Sequence, residues 1–158
     1  MNTIRYVKGD ATCPQAKGTK IICHVCNDLG GWGKGFVLAV SKRWEEPEAE
    51  YRAWHHGGDK GGFELGAVQF VQVEDYIWVA NMIGQRGMKR GSSGPPIRYE
   101  AIAKCLEQVA AKAKDLGASV HMPRIGCGLA GGEWSKIEPI IEQSLISKGI
   151  QVVVYDFE

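Results

Sequence analysis

The sequence predicts one α/β domain with a mixed sheet, spanning residues 1–158. Three observations carry that reading. A chain of 158 residues is the length of one ordinary domain and too short for two independent cores. Apolar runs of strand type alternate with runs at helical spacing, as in layered α/β architectures. Twenty-one glycines, about 13% of the chain against a usual ~7%, gather between those runs at 30–35, 57–66, 84–94 and 126–132. Clustered glycine marks loops that turn tightly or let a backbone approach something closely.

The elements follow in order. Residues 4–8 (Ile-Arg-Tyr-Val-Lys) form a short first strand, and 20–25 a second, buried one. Residues 35–46 and 47–56 read as helices, the second opening with Pro47 at a first-turn position. Residues 57–62 offer no chemistry and read as a surface connection. Residues 67–73 and 76–82 are β-rich runs separated by Glu74-Asp75, a hairpin. Residues 97–116 are the clearest helix: Ile97, Ala101, Ile102, Cys105, Leu106, Val109, Ala113 and Leu116 follow helical spacing, and Gly117 ends it. A short strand at 119–122 stops at Pro123. Ser135-Lys136-Ile137-Glu138 fits a capping box before a helix carrying Ile140, Ile141 and Leu145, with Pro139 at the first position where an amide is needed. A 3₁₀ turn at Trp134 is the alternative. Residues 150–155 are almost wholly apolar, as for a buried central strand. Trp44, Trp54 and Trp78 sit at core-like spacings and are assigned to packing.

Composition narrows the function. At 44% hydrophobic and 23% charged, the chain has the make-up of a globular protein. No apolar run approaches the ~18 residues of a membrane span, and Met1-Asn2-Thr3-Ile4-Arg5 lacks the apolar stretch of a signal peptide. A cytoplasmic protein without a membrane partner is expected. Nineteen Lys and Arg against eighteen Asp and Glu leave a net charge of +1. Extended nucleic acid, held through its phosphates, calls for a clear basic excess; a small anion needs only local donors. Five cysteines, an odd number, point to free thiols in a reducing compartment. Cys23-His24-Val25-Cys26 has the spacing of a metal pair. On a strand, however, residues i and i+3 face opposite ways, and no second pair completes four ligands, so no metal is expected.

Three segments occupy the position after a strand where α/β sheets gather ligands. The first is Gly9-Asp10-Ala11-Thr12. Its carboxylate can accept from an exocyclic amine while the next N–H donates to a ring nitrogen; a plain Asx turn is the other reading. The second is 27–35, Asn27-Asp28-Leu29-Gly30-Gly31-Trp32-Gly33-Lys34-Gly35, whose glycines let amides face a phosphate or ribose beside a helix N-terminus. It is neither a Walker loop nor a dinucleotide fingerprint. The third is 123–132, Pro123-Arg124-Ile125-Gly126-Cys127-Gly128-Leu129-Ala130-Gly131-Gly132, whose successive amides suit a pyrophosphate. Arg124 can add charge there or pair with a surface acid. Cys127 reads as a nucleophile or as a small residue the loop requires.

Taken together, Tyr6-Val7-Lys8-Gly9-Asp10, Cys23-His24-Val25-Cys26-Asn27, Gly31-Trp32-Gly33-Lys34-Gly35, Met122-Pro123-Arg124-Ile125-Gly126-Cys127-Gly128-Leu129 and Val152-Val153-Val154-Tyr155-Asp156-Phe157 resemble the macrodomain family. The likeness covers almost the whole chain. It leans toward the compact branch that includes terminal ADP-ribose protein glycohydrolase and ADP-ribose-1″-phosphate phosphatase. The resemblance implies a three-layer α/β/α sandwich around a six-stranded mixed sheet, with ADP-ribose across its crest and no cofactor. It implies that Asp10 and Ala11 meet adenine, that Phe157 lies against the base, and that Asn27 with Gly31, Trp32, Gly33, Lys34 and Gly35 surrounds the distal ribose. The segment Pro123, Arg124, Ile125, Gly126, Cys127, Gly128, Leu129 and Ala130 would wrap the diphosphate.

Departures from the family bear on chemistry. The glycohydrolase branch uses a lysine nucleophile where this chain has Ile83-Gly84-Gln85, and an aspartate where it has Ala130. A lysyl intermediate is therefore not expected. The phosphatase branch matches better, and its catalytic histidine corresponds to His24. The expected activity is hydrolysis of a distal-ribose derivative of ADP-ribose, a phosphate monoester before an ADP-ribosylated protein. In it His24 handles the proton, against a reading of His24 as a satisfied core histidine, and Asn27 positions the ribose or a water. Asp28 is a second acid candidate or a partner of Lys34. The alternatives are a reader that binds an ADP-ribosyl group without chemistry and a deacylase of O-acyl-ADP-ribose. Residues 85–94 read equally as a lid and as a solvated loop.

Overall fold

The second strand, β2 (Lys20–Asn27), shows how the sheet acquires two faces. Successive side chains alternate, so Ile21 and Cys23 enter one core while Ile22 and Cys26 enter another. The two cysteines thus point to opposite sides of the sheet. The computed structural model describes residues 3–57, 62–87, 94–128 and 130–157. Around β2 stand β1 (Arg5–Lys8), β3 (Val68–Glu74), β4 (Ile77–Gln85), β5 (Ser119–Met122) and β6 (Val152–Asp156). They form one six-stranded sheet in the order β1-β6-β5-β2-β4-β3. All neighbours are parallel except β3, which runs antiparallel to β4 as the predicted hairpin.

Helices α1 (Phe36–Arg43) and α2 (Glu46–His56) cover one face, where Val37, Val40 and Tyr51 join Ile22, Val79 and Ile83. Helices α3 (Tyr99–Leu116) and α4 (Trp134–Ser144) cover the other, where Ile102, Leu106, Val109, Ile137 and Ile141 join Ile21, Met82 and Val120. The architecture is the α/β/α sandwich with a mixed six-stranded sheet. Trp44, Trp54 and Trp78 all pack against these cores. Among the described residues no helix is long and apolar enough to cross a membrane.

Several boundaries differ from those read in the sequence. β2 runs on to Asn27 and β4 to Gln85, because both strands stay paired across the bulge between Cys26 and Asn27. α1 stops at Arg43: Trp44 is extended, its indole donating to Glu74 at 2.8 Å. α3 begins at Tyr99, since Ile97 pairs as a β-bridge with Gln85 after two prolines that disfavour helix. It ends as expected, with Gly117 left-handed at φ 65. α4 begins at Trp134, so Ser135 is no cap and Pro139 lies inside the helix. That proline deprives only the carbonyl of exposed Ser135 of its helical partner, which water can replace. The 3₁₀ turn falls instead at Ile146–Lys148.

Candidate functional site

Parallel pairing aligns the carboxyl ends of five strands along one crest. The register places Lys8 beside Asp156, Met122 beside Val154, and Asn27 beside Gln85. From the β1 edge inward, the crest therefore presents the turn at 9–12, then Phe157, then the loop 123–130, then the loop 27–35, then the residues after Gln85. All three candidate loops and the C-terminal aromatic fall on this line.

At its β1 end, Asp10 forms the Asx turn: its Oδ1 accepts from the Thr12 N–H at 2.8 Å and from the Thr12 hydroxyl at 2.7 Å. Oδ2 is left without a hydrogen bond among the described residues. Ala11 is buried within this turn, while Phe157 is 80% exposed. An exposed ring just past the end of β6, the strand next to β1, and a carboxylate oxygen with no hydrogen bond in the turn after β1 suit a heterocycle bearing an amine.

In the middle, the loop after β5 is shaped by close packing. Ile125 is buried in the core, and Gly126 is left-handed at φ 73, a backbone that glycine permits, with the tips of Ile97 and Ile137 packed closely over it. The Gly132 N–H closes the loop onto the Gly126 carbonyl at 2.7 Å, and the Gly131 N–H donates to Gly128 O at 3.1 Å. The Ala130 carbonyl accepts from the Ile97 N–H at 3.1 Å. Arg124 points away from this turn: it pairs with Asp156 and lies 5.1 Å from the ring centres of both Tyr6 and Trp134. The surface acid that it pairs with is thus Asp156. Cys127 is half-buried, and burial raises its thiol pKa, the opposite of an activated nucleophile. Leu129 lies outside the described residues.

At the inner end, Asn27 organises its own loop. Its Oδ1 accepts from the N–H groups of Leu29 and Gly31 at 2.9 and 3.0 Å, and its amide donates to Gly31 O at 2.9 Å. Tyr51 of α2 donates its hydroxyl to the Asn27 carbonyl at 2.6 Å. Gly33, Lys34 and Gly35 are exposed, whereas the Trp32 ring is only 4% exposed and its indole donates to Ser41 at 2.7 Å. Trp32 therefore offers the crest its backbone alone. Asp28, in the sequence an acid candidate or a partner of Lys34, accepts the Gly87 N–H at 2.7 Å and so ties this loop to the residues after β4. Of the stretch 85–94, residues 88–93 lie outside the described residues.

His24 sits within β2, not at its end. It is 1% exposed, with Trp32 edge-on at 5.3 Å between ring centres. Its Nε2 donates to Asn81 Oδ1 at 2.6 Å, and the Asn81 amide donates on to Pro47 O and Gln69 Oε1 at 3.1 and 3.0 Å. Burial pushes the His24 pKa down to about 4, so the ring is neutral near pH 7. The geometry is that of the satisfied core histidine. Tyr51 and Asn81, which hold Asn27 and His24, carry no mark in the sequence, since each acts across a long chain separation. Cavities of about 460 and 400 Å³ lie off this crest, beside the start of α3 and at the opposite end of the sheet, and hold none of the candidate residues.

The fold and crest define a class, the α/β/α sandwich whose parallel strands present ligand loops along one edge. No protein-family model matches the chain. The solved structure of a macrodomain protein from Streptomyces coelicolor is 64% identical with a TM-score of 0.88, the match covering 97% of this chain and 98% of that one. The chain belongs to the macrodomain family. Chromodomain-helicase-DNA-binding protein 1-like of Danio rerio is 36% identical over 96% of this chain, which spans only 15% of that protein's length. ADP-ribose glycohydrolase OARD1 of Bos taurus is 28% identical, covering 96% of this chain and 90% of that one. ADP-ribose 1″-phosphate phosphatase of Meyerozyma guilliermondii is 20% identical, covering 97% and 100%.

Proposed function

We propose that this chain binds ADP-ribose along the crest and hydrolyses a derivative of it at the distal ribose, a phosphate monoester in preference to a protein linkage. The observation that carries this reading is the order of the loops: a turn holding a carboxylate and an exposed ring, then the glycine-rich segment after β5, then a glycine loop with an exposed lysine. Adenine would lie against Phe157, with its amine on Asp10 and a ring nitrogen on the Ala11 N–H. The amides of 124–130 would hold the diphosphate, and those of 31–35 the distal ribose, with the Lys34 ammonium beside its phosphate. Two relatives bearing the names of enzymes that act on ADP-ribose compounds support the ligand.

In this reading Asn27 and His24 are positioning residues. Asn27 shapes the loop that meets the ribose, and His24 braces Trp32 beneath that loop, with no proton passing through its buried ring. Binding energy from base and diphosphate orients the reacting phosphorus toward water. Five free cysteines fit the reducing cytoplasm, and the even balance of charge favours a small anionic ligand over extended nucleic acid.

The second reading, a binder of ADP-ribosyl groups on proteins, is favoured by one observation: the polar groups of His24 and Asn27 are already engaged within the fold. Phosphorus NMR of ADP-ribose-1″-phosphate with stoichiometric protein separates the two. Growth of free phosphate supports the hydrolase. Line broadening without new phosphate leaves the binder, and an unchanged spectrum overturns both.

A further inference from the structure

The last residue of α1 reaches back to the turn that carries Asp10. Arg43 Nε donates to Thr12 Oγ1 at 3.1 Å, and that hydroxyl donates in turn to Asp10 Oδ1 at 2.7 Å. Thr12 is 2% exposed and sits between them with its hydroxyl hydrogen committed to the carboxylate and a lone pair committed to the guanidinium. A chain of this kind polarises itself: the cation makes the hydroxyl a stronger donor, and the stronger donor holds Oδ1 more firmly. With Oδ1 also taken by the Thr12 N–H at 2.8 Å, the carboxylate cannot rotate to exchange its oxygens without breaking two hydrogen bonds. The same turn encloses Ala11 and sets the direction of its N–H.

We propose that Thr12 and Arg43 are positioning residues that set base specificity, by fixing Asp10 so that Oδ2 stands as a pure acceptor at the outer end of the crest. This rests on the reading that places adenine at Asp10 and Ala11. A fixed acceptor next to a fixed donor matches a 6-aminopurine, which offers an amine hydrogen beside an unprotonated ring nitrogen. A 6-oxopurine offers the reverse pattern, a carbonyl oxygen beside a ring N–H, and meets repulsion at both points. A carboxylate free to turn would blunt that difference, because Oδ1 and Oδ2 could then share one weaker interaction or move aside.

The test is the ratio of affinities for ADP-ribose and for the hypoxanthine analogue inosine-diphosphate-ribose, by calorimetry, in wild type, Thr12→Val, Thr12→Ser and Arg43→Met. Valine keeps the shape and the backbone N–H but loses the hydroxyl. Wild type is expected to prefer ADP-ribose by about tenfold or more, the worth of one charge-assisted hydrogen bond. Thr12→Val and Arg43→Met should each shrink that ratio about threefold or more, and Thr12→Ser should restore it. A general loss of stability would lower both affinities together and leave the ratio unmoved. An unchanged ratio in a folded Thr12→Val protein overturns the proposal. A wild type that binds both ligands equally removes the adenine placement itself, and the clamp with it.

Discussion

Arg124 and Asp156 meet through two hydrogen bonds, Nε to Oδ1 at 2.6 Å and Nη2 to Oδ2 at 3.1 Å. One residue lies just beyond the end of β5 and opens the glycine-rich loop; the other ends β6 and immediately precedes Phe157. The pair fastens two neighbouring pieces of the crest to each other, with the guanidinium packed against the rings of Tyr6 and Trp134.

Because the Arg124 and Asp156 side chains are 40% and 43% exposed, the pair stabilises the fold by no more than about 1 kcal/mol. Arg124→Ala should therefore leave the protein folded and weaken ADP-ribose binding by roughly threefold, through a looser loop. The dependence of affinity on salt is the informative readout. With the diphosphate held by amides, the dependence of affinity on salt should match wild type; a guanidinium on phosphate would leave a visibly weaker dependence on its removal. Titrations at two salt concentrations decide it, and Asp156→Ala should behave like Arg124→Ala.

Acid should destabilise the fold through two buried histidines. Burial lowers the pKa of both His24 and His121 from 6.5 to about 4, the charge of Lys20 adding to the effect at His121. The unfolded chain then binds more protons than the folded one between those values. The contribution of the two rings is fully present above about pH 6.5, declines as pH falls, and is gone below about pH 4. Urea unfolding at pH 7.5, 6 and 5 should show a fall approaching 1.4 kcal/mol per pH unit for each ring. Replacing His121, which bonds Ser119 and Tyr155 at 2.8 Å each, by glutamine should reduce that slope.

Tyr51→Phe tests the support beneath the inner loop. The substitution leaves a buried Asn27 carbonyl without the hydroxyl that reaches it at 2.6 Å. A loss of about 1–2 kcal/mol in urea unfolding is expected, together with weaker ADP-ribose binding. Undiminished binding would show that the loop keeps its shape without this hydroxyl.

Gly132→Ala tests the closure of the middle loop. A methyl group at Gly132 would collide with the carbonyl oxygen of Gly126, a backbone atom that cannot swing aside as a side chain can. The 2.7 Å bond from the Gly132 N–H must then break or stretch. A drop of about 1–3 kcal/mol in stability and at least a tenfold loss of ADP-ribose affinity are expected from thermal melts and calorimetry.

Much of the fold was legible because its signals are local. The strand at Ser119–Met122 is bounded by a glycine turn and a proline, and Gly117 ends α3 with the left-handed backbone that glycine permits. The register of cysteines on β2 followed from strand alternation alone. Where the structure departs from local sequence signals, a distant partner decides. α1 breaks at Trp44 because Glu74, thirty residues away, takes its indole N–H. Pro139 survives in α4 because the orphaned carbonyl is on the wet side of the helix. The crest loops were visible as glycine clusters, but the purpose of individual polar side chains within them was not. His24, Asn27, Asp28 and Arg124 each look poised for a ligand in one dimension. Asn81, Tyr51, Gly87 and Asp156 engage them in three.

The sheet order has a consequence for size. From β1 to β2 the crest crosses three strand spacings of ~4.8 Å, or about 14 Å, set by main-chain hydrogen bonds. No side-chain replacement alters that interval. The backbone thus works as a calliper: a molecule whose two ends lie much closer together can satisfy one outer loop or the other but not both, whatever groups it carries. Discrimination by length is therefore built into the strand pairing, and only discrimination by functional group is left for point mutations to change.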